Sequence, residues 1–226
     1  MSELNIIGDI AGNFATLQAL LKKMPEGETI SVGDMIDRGP SSKEVVDFLM
    51  KNGKAVLGNH EHMMIDWIES VNVSRRGVYD DGIWAMNGGL ATMKSYDPNE
   101  QKNGHKTISD EHIAWMRSLP RYIEKDDLII THAPINPIFG MAKLLTLPPE
   151  HNEGLCWNRG NIKRIPGKFQ VYGHQGLQHV KWHTDKEGQF GICIDTCNFN
   201  WREGHKGMMT GIHWPSKKLY QQEIID

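Results

Sequence analysis

Three times in the first sixty residues an apolar run stops at a small polar motif and hands over to a helix. Leu4–Ile7 stops at Gly8-Asp9, residues 29–32 stop at Gly33-Asp34, and residues 54–57 stop at Gly58-Asn59-His60-Glu61. After the first motif, Phe14, Leu17, Leu20, Leu21 and Met24 share one helical face and Pro25 marks the end. After the second, Ser41 and Glu44 have capping-box spacing ahead of Val45, Val46, Leu49 and Met50, with Gly53 closing the segment. Strand–helix alternation of this kind builds a parallel sheet, and such sheets gather ligands beyond the carboxyl ends of their strands. Asp9, Asp34 and Asn59 all fall there.

Residues 62–119 read as a helical insertion, with apolar stripes at Met63, Met64, Trp67 and Ile68 and at Ile113, Trp115 and Met116. Residues 96–106 are polar and loop-like. From Leu128 the pattern turns to strands: LIIT runs into His132, FQVY runs into Gly173-His174, and HVKWH, FGICID, MMTGIHW and KLYQQEI follow at hairpin spacing. The economical reading of 226 residues is a single α/β domain over 1–226 with a β-rich second half. The net charge of −3 and the lack of a basic run argue against a general nucleic-acid clamp. Without a leader-like start or a run of about 20 apolar residues, the expectation is a cytoplasmic protein with no membrane partner. Three cysteines are too few and odd in number for a disulfide framework; Cys193 and Cys197 read as buried strand residues rather than metal ligands.

Hydrolysis of a phosphate ester needs an activated water, charge stabilisation on the phosphoryl oxygens and a proton for the leaving oxygen. A pair of metal ions about 3.5–4 Å apart supplies the first two, given a bridging carboxylate and further O and N ligands. Asp9, Asp34, Asn59, His132 and His174 offer such ligands, each following a strand-like run. Arg38 and Arg159 offer forked donors that match phosphate oxygens, and His60 with Asp37 behind it offers a general acid. Each residue also has a plainer reading. Asp9 and Asp34 can cap helices, Asp37 and Arg38 can form a surface ion pair, and Arg159 can be a solvated loop residue. The other eight histidines (62, 105, 112, 151, 179, 183, 205 and 213) read as structural, although His179 and His183 would share a strand face.

GDIAG, GDMIDRGP, GNHE, THAP and GH occur in the order and spacing of the calcineurin-like metallophosphoesterases, and the chain resembles the small bacterial and bacteriophage Ser/Thr protein phosphatases of that family. The likeness extends to WAMNGGLATMKSY (84–96), RSLPRY (117–122), CWNR (156–159) and ICIDT (192–196). It implies two packed mixed β-sheets flanked by helices. It also implies two divalent metal ions, Mn²⁺ foremost, with Mg²⁺, Fe, Ni²⁺ or Zn²⁺ as substitutes. Asp9 would bind the first ion, Asp34 would bridge, and Asn59, His132 and His174 would hold the second. His60 would protonate the leaving group with Asp37 orienting it, and Arg38 and Arg159 would grip the phosphate. Attack would be direct, by a metal-bridging hydroxide. The substrate implied is a phosphoprotein or a small phosphoester.

Two positions depart from the family pattern. Ala11 stands where the first loop normally carries a histidine ligand, which leaves Asp9 and Asp34 as the recognised ligands of the first ion. Water, Asn13 or a residue outside the motifs is left to complete it. The loss should weaken that ion and shift it toward oxygen-loving Mn²⁺ or Mg²⁺. Cys197 stands where a glycine is usual after Asp-Thr. Two alternatives to a protein phosphatase follow: a hydrolase of dinucleoside polyphosphates or nucleotide ends, which shares the metal loops, and a degenerate binding module that keeps only the fold.

Overall fold

A computed structural model describes residues 3–72, 81–99, 107–136, 138–197 and 207–226. The three opening strands form where the apolar runs lie: β1 (Leu4–Ile7), β2 (Glu28–Ser31) and β3 (Gly53–Ala55). They pair in parallel in the order β1-β2-β3, because α1 (Phe14–Leu21) and α2 (Ser42–Asn52) carry the chain back between them. Two C-terminal strands, β9 (Met208–Trp214) and β10 (Lys218–Glu223), extend this sheet antiparallel along the free side of β1. The second sheet has the order β4-β5-β6-β8-β7. Its members are β4 (Tyr122–Lys125), β5 (Leu128–Thr131), β6 (Phe169–Tyr172), β7 (Lys181–Asp185) and β8 (Gly188–Cys193), with β5, β6 and β8 mutually parallel. Both sheets are therefore mixed.

The two sheets pack face to face. Leu4, Ile6, Ile30 and Val32 from the first sheet share a buried cluster with Leu128, Ile130, Val171 and Ile192 from the second. Strands buried on both faces need near-continuous apolar runs, and LNII, LIIT and FQVY each carry a single polar residue. On the outer face of the first sheet, α1 and α2 lay Leu17, Leu20, Val45, Val46 and Leu49 into a second cluster with Ile7 and Met35. Ser41 is the N-cap of α2, as its spacing predicts, but it makes no side-chain cap bond. The neighbouring Ser42 hydroxyl accepts the Asp37 N–H at 3.0 Å instead, so the loop before the helix takes the hydroxyl.

Residues 59–118 hold α3 (Asn59–Asn72), α4 (Asp81–Trp84), a π-helical turn (Ala85–Gly89), α5 (Leu90–Tyr96) and α6 (Asp110–Ser118). Met63, Met64, Ile68, Ile113 and Met116 are buried, as the stripes predict, and Trp67 packs on Trp84 with ring centroids 4.9 Å apart. The π-helical turn brings Gly88 against Arg38, whose N–H it accepts at 3.2 Å, and any Cβ on Gly88 would collide with Arg38. Two elements escape the sequence reading, the edge strand β4 and the short helix α7 (Met141–Thr146). All three cysteines are free and buried. His112, His183 and His213 bond Tyr96, Tyr172 and Asn5 respectively, in keeping with structural roles. His179 precedes β7, so it shares no strand face with His183. His105, His205 and most of the polar loop before α6 lie outside the described residues. Among the described residues, no helix is long and apolar enough to cross a membrane.

Candidate active site

Parallel strands from both sheets end at one common edge. Asp9 follows β1, Asp34 follows β2, Asn59 and His60 open α3 just beyond β3, His132 follows β5, and His174 follows β6. Asp9, Asp34, Arg38, Asn59, His60, Arg159 and His174 line one cleft together with Gln175, Gly176 and Asp195. His132 is wholly buried behind them, and Asp37 is wholly buried behind His60. The structure thus brings every residue singled out from the sequence to one place. The helix-cap reading of Asp9 fails because Asn13 is the N-cap of α1, and the surface ion-pair reading of Asp37 fails on its burial.

Backbone strain is concentrated here. Seven non-glycine residues among those described have positive φ, and Ala11, Asp34, Asp37, Arg38 and His174 are five of them. Left-handed backbone costs an ordinary residue of order 1–3 kcal/mol and persists only where the surroundings enforce it. One enforcing group is Glu61, a wholly buried carboxylate from the first turn of α3. It accepts the N–H groups of Met35 (2.7 Å), Asp34 (3.0 Å), Gly58 (3.0 Å) and Ile36 (3.3 Å), tying two ligand loops to one side chain. Burial, and then the Asp34 charge, push the Glu61 carboxyl up to about 8. The approach of the two sheets is equally tight: a Cβ on Gly173 would overlap the Asp9 carboxylate.

The donor atoms themselves test whether a cation fits. His132 Nδ1 lies 2.9 Å from the Val32 carbonyl, which can only accept, so Nδ1 carries the proton. Burial holds this imidazole below its ordinary value and hence neutral. Its other nitrogen, Nε2, then points a bare lone pair at Asn59 Oδ1 (2.9 Å) and Asp34 Oδ1 (3.2 Å). His174 Nδ1 converges on the same Asn59 oxygen at 2.8 Å. Lone pairs facing one another without a proton are repulsive, and a divalent ion among them removes the conflict. Ligand atoms of Asp34, His132 and His174 all lie within 4.8 Å of one another. Burial raises the Asp34 carboxyl, but its electrostatic attraction to the His132 and His60 rings and the Arg38 guanidinium outweighs this and holds that group below the usual range.

Asp37 and His60 form the other half of the site. His60 Nδ1 donates to Asp37 Oδ2 at 2.5 Å, and Arg38 donates to His60 Nε2 at 2.8 Å, since a guanidinium has no lone pair to offer. Trp84 Nε1 (2.9 Å) and the Thr92 hydroxyl (2.6 Å) complete the Asp37 carboxylate. The helical insertion therefore supports the proposed acid pair, a role that helical periodicity alone does not express. Arg159 is exposed at the mouth of the cleft.

Hard oxygen donors beside imidazoles suit a divalent cation, and the guanidinium groups above them suit phosphate. The class of protein is that of the metal-dependent phosphoric ester hydrolases. Within that class the chain belongs to the calcineurin-like phosphoesterase family, whose model matches residues 4–178. Among its relatives are the symmetrical bis(5'-nucleosyl)-tetraphosphatases of Vibrio campbellii (29% identical over 144 residues, 60% of this chain and 46% of that protein) and of Buchnera aphidicola (32% over 195 residues, 77% and 63%). The chain spans about half the length of the first of these. Its fold is similar to that of a metallophosphoesterase from Sphaerobacter thermophilus, with TM-score 0.57 and 16% identity over 99% of this chain and 88% of that one. It is also similar to a protein provisionally assigned as a diadenosine tetraphosphatase, with TM-score 0.65 and 18% identity over 100% and 95%.

Proposed function

We propose that this chain hydrolyses phosphoric anhydrides of the dinucleoside polyphosphate type, with two divalent ions, Mn²⁺ foremost. The carrying observation is one cleft in which a carboxylate–amide–imidazole ligand set, the His60–Asp37 pair and two arginines meet. The substrate class rests on the relatives named above. This reading prefers the dinucleotide alternative over the Ser/Thr phosphatase subtype to which the motifs alone lean. When bound, the two ions would supply a Lewis-acid charge and an activated water.

The geometry of the cleft supports the residue roles that the family resemblance implies. Asp9 would hold the first ion, Asp34 would bridge, and Asn59, His132 and His174 would hold the second. His60 can give a proton only from Nε2, whose lone pair accepts from Arg38. Movement of Arg38 onto a phosphate oxygen would free that lone pair to take up a proton from solvent, so phosphate capture would be what allows the acid to be charged. Arg159, at the rim, would grip phosphate at the mouth of the cleft.

The test offers diadenosine tetraphosphate and a phosphoserine peptide to the Mn²⁺-loaded protein under the same conditions, with products separated by ion exchange. Preferential formation of ADP supports the reading. Faster release of inorganic phosphate from the peptide returns the chain to the protein phosphatase branch, and no turnover of either with metal bound identifies a binding module.

A further inference from the structure

Three parallel strands of the first sheet end in Asp9, Asp34 and Asn59; in the second, β5 and β6 end in His132 and His174. The third parallel strand of that sheet, β8, delivers Asp195 two residues past its end. Asp195 is 1% exposed and lines the same cleft, and its carboxyl is in direct hydrogen-bond contact with that of Asp9. Its Oδ2 accepts the Gly176 N–H at 2.5 Å, which anchors the group at the mouth of the His174 loop. Two buried carboxyls touch only through a shared proton or a cation.

Without Asp195 the first ion would have only Asp9 and Asp34. The Ala11 side chain has no ligand atom, and Asn13, whose Nδ2 is spent on the carbonyls of Ile10 (2.8 Å) and Ala11 (2.9 Å) and faces Cys197 Sγ at 3.6 Å, does not line the cleft. The independent sign of a cation at this edge is the convergence of His132 Nε2 and His174 Nδ1 on one Asn59 oxygen, at 2.9 and 2.8 Å, with a ligand atom of Asp34 within 4.8 Å of ring nitrogens of both histidines. We infer that Asp195 is a ligand of the first metal ion and takes the coordination place that Ala11 leaves without a donor. The inference rests on the two-metal reading above. It makes the first site rich in carboxylates (Asp9, Asp34, Asp195) and the second rich in nitrogen, so the first should favour Mn²⁺ or Mg²⁺ over softer ions.

The experiment counts metal and does not depend on turnover. The chain and its Asp195→Asn variant are loaded with Mn²⁺, freed of excess and analysed for manganese per chain, with affinities from calorimetric titration. The wild type is expected to bind two ions. Asp195→Asn, which keeps an oxygen for the Gly176 N–H, should retain the second ion and lose the first, with affinity reduced at least 10- to 100-fold. Ala11→His added to Asp195→Asn should restore the second equivalent, which a merely structural Asp195 would not allow. Should the amide variant fail to fold, Asp195→Ser carries the same expectation. Two ions bound with unchanged affinity in the variant overturn the role of Asp195 alone. A single ion in the wild type overturns the two-metal reading and this inference with it.

Discussion

Replacing Asp37 with asparagine isolates one charge in an otherwise preserved network. The amide oxygen can take the place of Oδ2 and still accept from His60 Nδ1 and Trp84 Nε1, while its NH₂ meets the Thr92 hydroxyl, which can rotate to accept. What is lost is the anion that stabilises His60 when it carries a second proton. Exchanging a charged for a neutral hydrogen bond costs about 1–1.5 kcal/mol, and the vanished Coulomb attraction at about 4 Å is worth at most about 4 kcal/mol near an effective dielectric of 20. The acid-dependent rate should therefore fall between about 5-fold and about 10³-fold. The assay is kcat across a series of aryl phosphates at saturating Mn²⁺. Poor leaving groups should suffer the full loss and p-nitrophenyl phosphate almost none, so the plot of log kcat against leaving-group pKa should steepen. An unchanged slope, or an equal loss at every leaving group, would refute the claim that Asp37 acts through a proton-donating His60.

Three further outcomes are expected. Arg159→Ala should weaken inhibition by inorganic phosphate at unchanged manganese content; the same inhibition constant would make Arg159 a bystander. Burial holds the Asp9 and Asp195 carboxyls above their ordinary range, helped at Asp9 by the charges of Asp195 and Asp34 and at Asp195 by that of Asp34, so a cation entering between them must displace a proton. A raised carboxyl keeps its proton to higher pH, so Mn²⁺ affinity should fall as pH drops below neutral, with proton release visible in calorimetry in buffers of different ionisation enthalpy; pH-independent binding without release would contradict this. Glu61→Gln turns an NH₂ toward two of four backbone donors, at about 1–3 kcal/mol each, so the melting temperature above pH 8 should drop by about 5–20 °C. A drop under two degrees would show that Glu61 does not hold the loops.

The site was legible because its strands are short and mostly apolar and each ends in a conspicuous polar motif. LNII, LIIT and FQVY needed no tertiary information to be read as buried strands ending at Asp9, His132 and Gly173-His174. Other elements carried no such mark. YIEK alternates weakly because β4 lies at a sheet edge, and MAKLLT is only six residues long. Asp195 ends an apolar run as Asp9 does, but no glycine announces it and its nearness to Asp9 depends on how two sheets pack. Glu61 stood inside a recognised motif, yet its four backbone partners come from loops 25 to 27 residues upstream and from Gly58. The Asp37 partners Trp84 and Thr92 lie 47 and 55 residues away, beyond the reach of any local pattern.

The Glu61 anchor also bears on how the protein acquires its metal. In a small zinc domain the ligands assemble only as the ion binds, so removing the ion unfolds the chain. Here the loops bearing Asp34, Asn59 and His60 are already fastened to a carboxylate that is itself no proposed ligand. Those bonds do not run through the ion, so a chelated molecule should remain folded and take up cations again without a refolding step. Occupancy would then follow the free concentrations of competing ions around the protein rather than a choice made during folding. One polypeptide could change its working metal within its lifetime as supply changes.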